Sequence, residues 1–193
     1  MLIGISGKKR SGKDTVGGYL VEQKEFKRKA FADDLKTLVS KTYDIPITWF
    51  HHDTLKEKAL LNYPMSAMAC EHLGEDEGMI VDGIRYHSPR TLCILEGYFK
   101  RVVDPLYWCK KIVEGNGVEG NIVITDVRYQ NEADYIKSKG GILLRVNRLN
   151  TPLSSHLSET DLDLYTGFDG IIENNSSIKD LLVNVDAFVK RFT

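Results

Sequence analysis

The stretch that most constrains this chain is Gly7-Lys8-Lys9-Arg10-Ser11-Gly12-Lys13-Asp14-Thr15, which directly follows the apolar run Leu2-Ile3-Gly4-Ile5-Ser6. Beyond it, Val16, Tyr19, Leu20 and Val21 recur at helical spacing, so the order is strand, glycine-rich loop, helix. The loop fits the phosphate-cradling pattern G-x-x-x-x-G-K-[ST] in all but its last position. Gly7 lets the chain leave the strand in a tight turn, and Gly12 lets backbone N–H groups approach phosphate oxygens with no Cβ in the way. Lys13 reaches back toward the β- and γ-phosphates, and the following helix adds its N-terminal dipole. Asp14 stands where a Ser or Thr hydroxyl normally meets magnesium, with Thr15 one residue later.

The rest of the sequence repeats the unit. Residues 27–31 read as a short strand running into Ala32-Asp33-Asp34-Leu35-Lys36, which opens a helix to about Tyr43; Asp33 and Asp34 suit the first turn of that helix as well as a strand-end site. From residue 44 the signal weakens, and a helical stretch over about 54–73 is predicted as part of an inserted helical region. His51-His52-Asp53, Cys70 and His72 match no metal-ligand spacing. Helices are predicted over 89–103 and from Asp104-Pro105 onward. Gly115-Asn116-Gly117 and Gly120 mark a loop before a buried strand over 121–126 that ends in Asp126. A helix then runs to Lys139 and stops at Gly140-Gly141. Strands over 142–146 and 170–173 flank the polar segment 148–163. Ser177 and Asp180 cap a last helix whose Ile178, Leu181, Leu182, Val185, Phe188, Val189 and Phe192 share one face.

Strands alternating with helices predict an α/β fold, a three-layer sandwich of the P-loop NTPase type with a parallel sheet of about five strands, helices on both faces and a helical insertion. At 193 residues the chain suits a single domain, 1–193, with a helical insertion at about 44–115. The loop, Asp33, Asp126, Arg128, Arg148 and Asn174 all fall just beyond strand C-terminal ends, where open α/β sheets bind ligands.

Charge narrows the partners. With 26 basic and 27 acidic residues the chain lacks the basic excess of a general nucleic-acid binder. No apolar run approaches the roughly 18 residues of a membrane span, and no leader-like segment opens the sequence, so no membrane partner is expected. Cys70, Cys93 and Cys109 are scattered and suit a reducing cytoplasm. A phosphate loop with an acid at the end of a later buried strand is the skeleton for holding a nucleoside triphosphate and magnesium. Arg90, Arg101, Arg128, Arg145 and Arg148 offer more positive charge than one triphosphate needs, which points to a second phosphorylated substrate.

Together, residues 6–15, Phe31-Ala32-Asp33-Asp34-Leu35-Lys36, Tyr107-Trp108, Thr125-Asp126-Val127-Arg128 with Glu132, and His156-Leu157-Ser158-Glu159 resemble the phage-type deoxynucleoside monophosphate kinases, in the superfamily of P-loop nucleoside monophosphate kinases. The resemblance implies transfer of the γ-phosphoryl group of ATP to a deoxynucleoside monophosphate, with Mg2+. It implies ATP contacts from Gly7, Lys8, Arg10, Ser11, Gly12, Lys13, Asp14, Thr15, Arg148 and Asn174. It implies metal contacts from Asp14 and Thr15, and catalytic roles for Lys13, Asp126 and Arg128. Acceptor contacts are implied for Asp33, Lys36, Arg90, Arg101, Trp108, Asp126, Arg128 and Glu132. The resemblance further implies that 148–163 forms a closing lid, that the insertion at about 44–115 binds the acceptor, and that the cytoplasm is the host's if the chain is phage-encoded. Homodimerisation stays open. Gly97-Tyr98-Phe99 departs from the family's usual Gly-Thr followed by an acid, and residues 44–80 match no part of it. The animal-type phosphomevalonate kinases share a similar loop and a Thr-Asp-x-Arg strand end and supply the alternative acceptor. A nucleotide-binding switch without transfer chemistry is the alternative of another class.

Overall fold

The structure, a computed structural model, describes residues 1–74, 77–114, 120–151 and 157–193. The elements run β1 (Leu2–Ser6), α1 (Lys13–Lys24), β2 (Lys27–Lys29), α2 (Phe31–Thr42), α3 (Ala67–Leu73), β3 (Met79–Val81), β4 (Ile84–Tyr86), α4 (Pro89–Val103), α5 (Tyr107–Val113), β5 (Ile122–Val127), α6 (Gln130–Ser138), β6 (Ile142–Asn147), α7 (Leu157–Thr160), β7 (Gly170–Glu173) and α8 (Ile178–Val189). They fall into two compact units, one made of 1–31 with 108–193 and the other of 32–107.

The first unit holds a five-stranded sheet in the order β2-β5-β1-β6-β7, with every pairing parallel. Strand alternation divides its faces. Ile3 and Ile5 of β1 point into a core shared with Val16 and Leu20 of α1 and with Leu181, Val185 and Phe188 of α8. Gly4, between them, faces the other way: a Cβ there would stand 2.9 Å from Cδ1 of Ile136 in α6 and 2.8 Å from Cδ2 of Leu143. Helices therefore cover both faces, as an all-parallel sheet requires. Ile3, Ile5, Val123, Ile124, Leu143 and Leu144 are fully buried, each worth about 1.5–3 kcal/mol in transfer terms. On α8, the burial of Leu181, Val185, Phe188 and Val189 follows the expected apolar face, but Ile178 is 67% exposed in the first turn.

The second unit packs Val39, Ile45, Phe50, Leu60 and Leu92 into a smaller core flanked by Leu35, Tyr43, Trp49, Tyr63 and Cys93. Here the sequence reading needs correction. The helix expected over 54–73 is instead a 3-10 turn at Leu55–Glu57, an irregular stretch and α3. Pro64 explains the break, since proline cannot supply an interior helical N–H and its ring clashes with the preceding turn. It lies in an isolated bridge opposite Tyr86. The region is also not wholly helical: β3 and β4 pair antiparallel across Asp82-Gly83, with φ of 49° and 77°. Asp-Gly is the signature of a hairpin turn that needs two left-handed residues. α4 matches its expected bounds, and Ser88 and Thr91 form its capping box. The loop expected at Gly115-Asn116-Gly117 lies outside the described residues.

Candidate nucleotide-phosphate site

The site of the first unit is built where β1, the central strand, gives way to α1. The loop turns by left-handed residues at Arg10 (φ 66°) and Gly12 (φ 100°), and Ser11 N–H donates to the Lys8 carbonyl at 3.0 Å. Such alternation turns successive N–H groups toward one concave side, the seat of an anion. Both glycines are sterically required. A Cβ on Gly7 would stand 2.5 Å from the Val146 carbonyl, and one on Gly12 would stand 2.4 Å from the side-chain amide of Asn174. Asn174, just past β7, donates that amide to the Ser11 carbonyl at 2.8 Å and so braces the loop from behind.

Two polar groups in this cradle point to a ligand. Ser11 is fully buried, yet its hydroxyl has no hydrogen-bond partner among the described residues. Lys13 is only 7% exposed; burial pushes its ammonium below the ordinary lysine value, Arg128 adds to that, and Asp14, Glu159 and Asp126 oppose it. A buried cation facing carboxylates and a guanidinium is poised for an anion that would restore its charged form. Asp14 and Thr15 are exposed in the first turn of α1, and Arg10 is exposed on the loop. Lys8 and Ser11 line a pocket of about 190 Å³ with Val146, Asn147, Arg148 and Thr151, which brings Arg148 to the loop.

On the other side of β1 stands the end of β5. Asp126 accepts from the Phe31 N–H at 2.9 Å and so ties β5 to the start of α2. Glu132 is 2% exposed, and its carboxylate accepts from the backbone N–H groups of Arg128 (2.9 Å) and Tyr129 (3.2 Å), the N-terminal capping of α6. The Arg128 guanidinium does not reach Glu132 but Glu159, and it also donates to the Ser158 carbonyl at 3.4 Å. Trp108 is 2% exposed in the core of the first unit, with Lys111 over its ring at 5.6 Å.

Sequence reasoning counted Arg145 only as surplus positive charge and did not single out Asp163; the fold gives both a place. Arg145, paired in register with Ser6 on β1, donates to the Ser6 hydroxyl (3.2 Å), the Asn147 side chain (3.2 Å) and Asp163 (2.8 Å). Asp163 also accepts from Lys8 at 2.8 Å, and Glu159 accepts from the Lys9 N–H at 2.9 Å. The only available signal was a basic residue at the end of an otherwise apolar strand. Of the 148–163 segment expected to act as a lid, 152–156 lie outside the described residues, His156 among them.

Asp33, Lys36, Arg90 and Arg101 belong to the second unit. Asp33 and Lys36 lie half-buried on α2, and the Asp33 carbonyl accepts from the Thr37 hydroxyl at 2.9 Å. Arg90 is exposed at the start of α4 and pairs with Glu57 at 3.1 Å, and Arg101 donates to the Gly97 carbonyl at 3.3 Å. His72 and Tyr98 stack with ring centroids 3.7 Å apart, with Phe99 5.7 Å from Tyr98.

The first unit is thus a parallel α/β domain whose central strand runs into a glycine loop, with an acid and an arginine ending the neighbouring strand, at the strand ends where open α/β sheets bind ligands. The chain belongs to the deoxynucleotide monophosphate kinase family, whose model matches residues 1–61 and 99–185. That membership supports a nucleotide kinase activity and nucleotide substrates. A protein of Acanthamoeba polyphaga mimivirus, provisionally named deoxynucleotide monophosphate kinase, is 29% identical over 188 residues, spanning 93% of this chain and 91% of its own. Among solved structures, that of TT1252 from Thermus thermophilus is similar at a TM-score of 0.48 and 17% identity, over 100% of this chain and 98% of that one.

Proposed function

We propose that the protein transfers the γ-phosphoryl group of ATP to the phosphate of a deoxynucleoside monophosphate, giving ADP and the deoxynucleoside diphosphate. The observation that carries this reading is the loop itself, with a buried unpartnered Ser11 hydroxyl and a buried Lys13 beside the Asp126–Arg128 strand end. In the transfer, an oxygen of the acceptor phosphate forms a bond to the γ-phosphorus as the bond to the β–γ bridging oxygen breaks; the electron pair leaves with ADP. No protein nucleophile is required, so positioning and charge do most of the work.

Lys13 and the loop N–H groups hold the β- and γ-phosphates, Arg128 neutralises charge on the transferring group and the acceptor phosphate, and Asp126 orients the acceptor. Gly7, Lys8, Arg10, Ser11, Gly12 and Arg148 contact ATP, with Asn174 supporting the loop. Glu132 fixes the strand end that carries Arg128. Asp33, Lys36, Arg90 and Arg101 are proposed for acceptor recognition; Trp108, expected beside them, is too buried to touch an acceptor in this structure. Among the described residues no three His, Cys, Asp or Glu side chains gather as a metal cage. Mg2+ keeps waters and binds through one or two protein oxygens plus substrate phosphates; Asp14 and Thr15, exposed in the first turn of α1, would hold it, and it would supply further charge neutralisation.

Release of ADP, followed by a coupled assay across the four deoxynucleoside monophosphates and phosphomevalonate, tests the proposal. Turnover that requires a deoxynucleoside monophosphate supports it. Turnover of phosphomevalonate alone, or ATP binding with no acceptor-dependent release, overturns it in favour of one of the two alternatives.

A further inference from the structure

We infer that Glu159 and Asp163 are internal phosphate surrogates: their carboxylates occupy the donors of the nucleotide-phosphate seat, and nucleotide must displace them to bind. The inference rests on the reading of the loop as a phosphate seat. It follows from what the two carboxylates touch. Glu159 takes the loop N–H of Lys9 with one oxygen and the Arg128 guanidinium with the other. Asp163 likewise divides its oxygens between Lys8 and Arg145, each at 2.8 Å. A backbone amide of a glycine loop, two lysine or arginine heads and a fork-shaped guanidinium are what a polyphosphate uses, and a carboxylate satisfies the same donors.

Chance pairing of surface charge explains this poorly. Burial alone would push both carboxyls up. Instead the Lys9 amide, Arg128 and Lys13 hold Glu159 below its ordinary value, and Lys8 and Arg145 do the same for Asp163. Leu162, between them in sequence, is 3% exposed and anchors the turn. The backbone around it is tied down separately: Asp161 accepts from the Gln130 N–H at 2.7 Å, and Tyr165 donates to Asp134 at 2.8 Å. The carboxylates can thus yield by side-chain rotation while the turn stays in place. Arg145 keeps Ser6 and Asn147 as partners when Asp163 leaves. The pairs therefore act as placeholders that keep the cations aimed at the seat and spare them from standing unpaired in a half-buried site. Their cost is a tax on affinity, since only the unclasped fraction of molecules accepts phosphate.

The test is calorimetric titration of the full chain with tripolyphosphate and with ATP, in wild type and in the Glu159→Gln and Asp163→Asn variants, singly and together. Both substitutions keep shape and remove charge. The expected result is tighter binding of both probes, by about three- to tenfold in the double variant, the scale of partly exposed ion pairs. Unchanged or weaker binding in variants with a wild-type circular dichroism spectrum overturns the inference and leaves the phosphate seat standing. If neither probe binds wild type or variants, the phosphate seat itself falls, and the inference with it. Should the variants fail to fold, the wild type decides through carboxyl carbon NMR. Displacement predicts that the Glu159 carboxyl titrates higher with tripolyphosphate bound than without it, whereas an unchanged or lower titration overturns the idea.

Discussion

The two units of this chain are built from different materials. The first, 1–31 with 108–193, invests in a parallel sheet with fully buried Ile, Val and Leu, and its strand ends carry Lys13, Asp126, Arg128 and Arg145 at one edge. The second, 32–107, has a small core stitched by polar aromatics: the Tyr43 hydroxyl donates to Glu96 at 2.7 Å, the Tyr63 hydroxyl to the Tyr43 carbonyl at 3.0 Å, and the two rings meet edge to face. The family model runs unbroken through the sheet strands but omits 62–98, which includes α3, the β3–β4 hairpin and most of α4. Phosphoryl transfer tolerates little misplacement and so demands rigid strand ends. On the proposed function, recognising one acceptor among several would not, and would fall to the short elements joined by turns.

If that division is right, damage to the loop should be blind to the acceptor. Lys13→Ala is expected to lower turnover by about 10²–10³ for every accepted monophosphate, the scale of one lost preorganised charge-stabilising donor. Steady-state ADP release measures it, with circular dichroism as the fold control. A near-wild-type rate would break the comparison at its root, because the sheet unit would then not hold the reacting phosphates.

Arg128→Lys probes the same edge more finely. Lysine cannot reproduce the two-point fork of a guanidinium, so transfer should fall at least about tenfold while ATP binding, followed by titration with a fluorescent nucleotide, stays nearly constant. Were turnover and acceptor affinity to remain within about twofold, Arg128 would be reduced to the holder of Glu159, a contact whose small energy cannot move a rate further.

What was legible follows the same line. The parallel sheet of about five strands and the loop could be read because β1, β5 and β6 are mainly apolar runs and glycine spacing is stereochemically forced; the strand order could not, and β2 is the largely exposed Lys27-Arg28-Lys29. In the second unit α2 and α4 were legible from their helical spacing, but the stretch between them was misread, because its elements are too short for a periodicity to register. Asp82-Gly83 between Ile80-Val81 and Ile84 was a readable hairpin signal, as was Pro64 against a helix over 54–73. Glu159 and Asp163 were not readable as partners of the loop. They meet Lys9 and Lys8 across separations of 150 and 155 residues, which only the sheet topology brings together.

Tyr98 sharpens the comparison from the second unit. Its ring stacks on His72 and neighbours Phe99. If the acceptor base stacks against this aromatic cluster, a contact worth about 0.5–1.5 kcal/mol is lost in Tyr98→Ala, and acceptor KM should rise by about two- to tenfold. The KM for ATP should not move. An equal shift in both would mean that the second unit is not specialised for the acceptor.

Acid sensitivity gives the smallest effect and should be confined to the first unit. Glu159 and Asp163 are held below their ordinary values of 4.5 and 3.8 against the pull of burial, so the native state favours their charged forms. Above about pH 5 both native and unfolded chains are ionised and the stabilisation is complete. As pH falls through 4.5 and then 3.8 the unfolded chain takes up protons first. Stability therefore declines until the native groups also protonate at their lower values. Each pair is partly exposed and contributes about 0.2–1 kcal/mol, less at high salt. The chain has two tryptophans, one per unit: Trp49 in the second and Trp108 in the first. In a Trp49→Phe background, Trp108 fluorescence should report a thermal midpoint that drops between about pH 5 and pH 3, and adding Glu159→Gln and Asp163→Asn should flatten that drop. A midpoint falling as steeply with the carboxylates gone would assign the acid sensitivity to other groups and remove the two ion pairs from the stability of the loop unit.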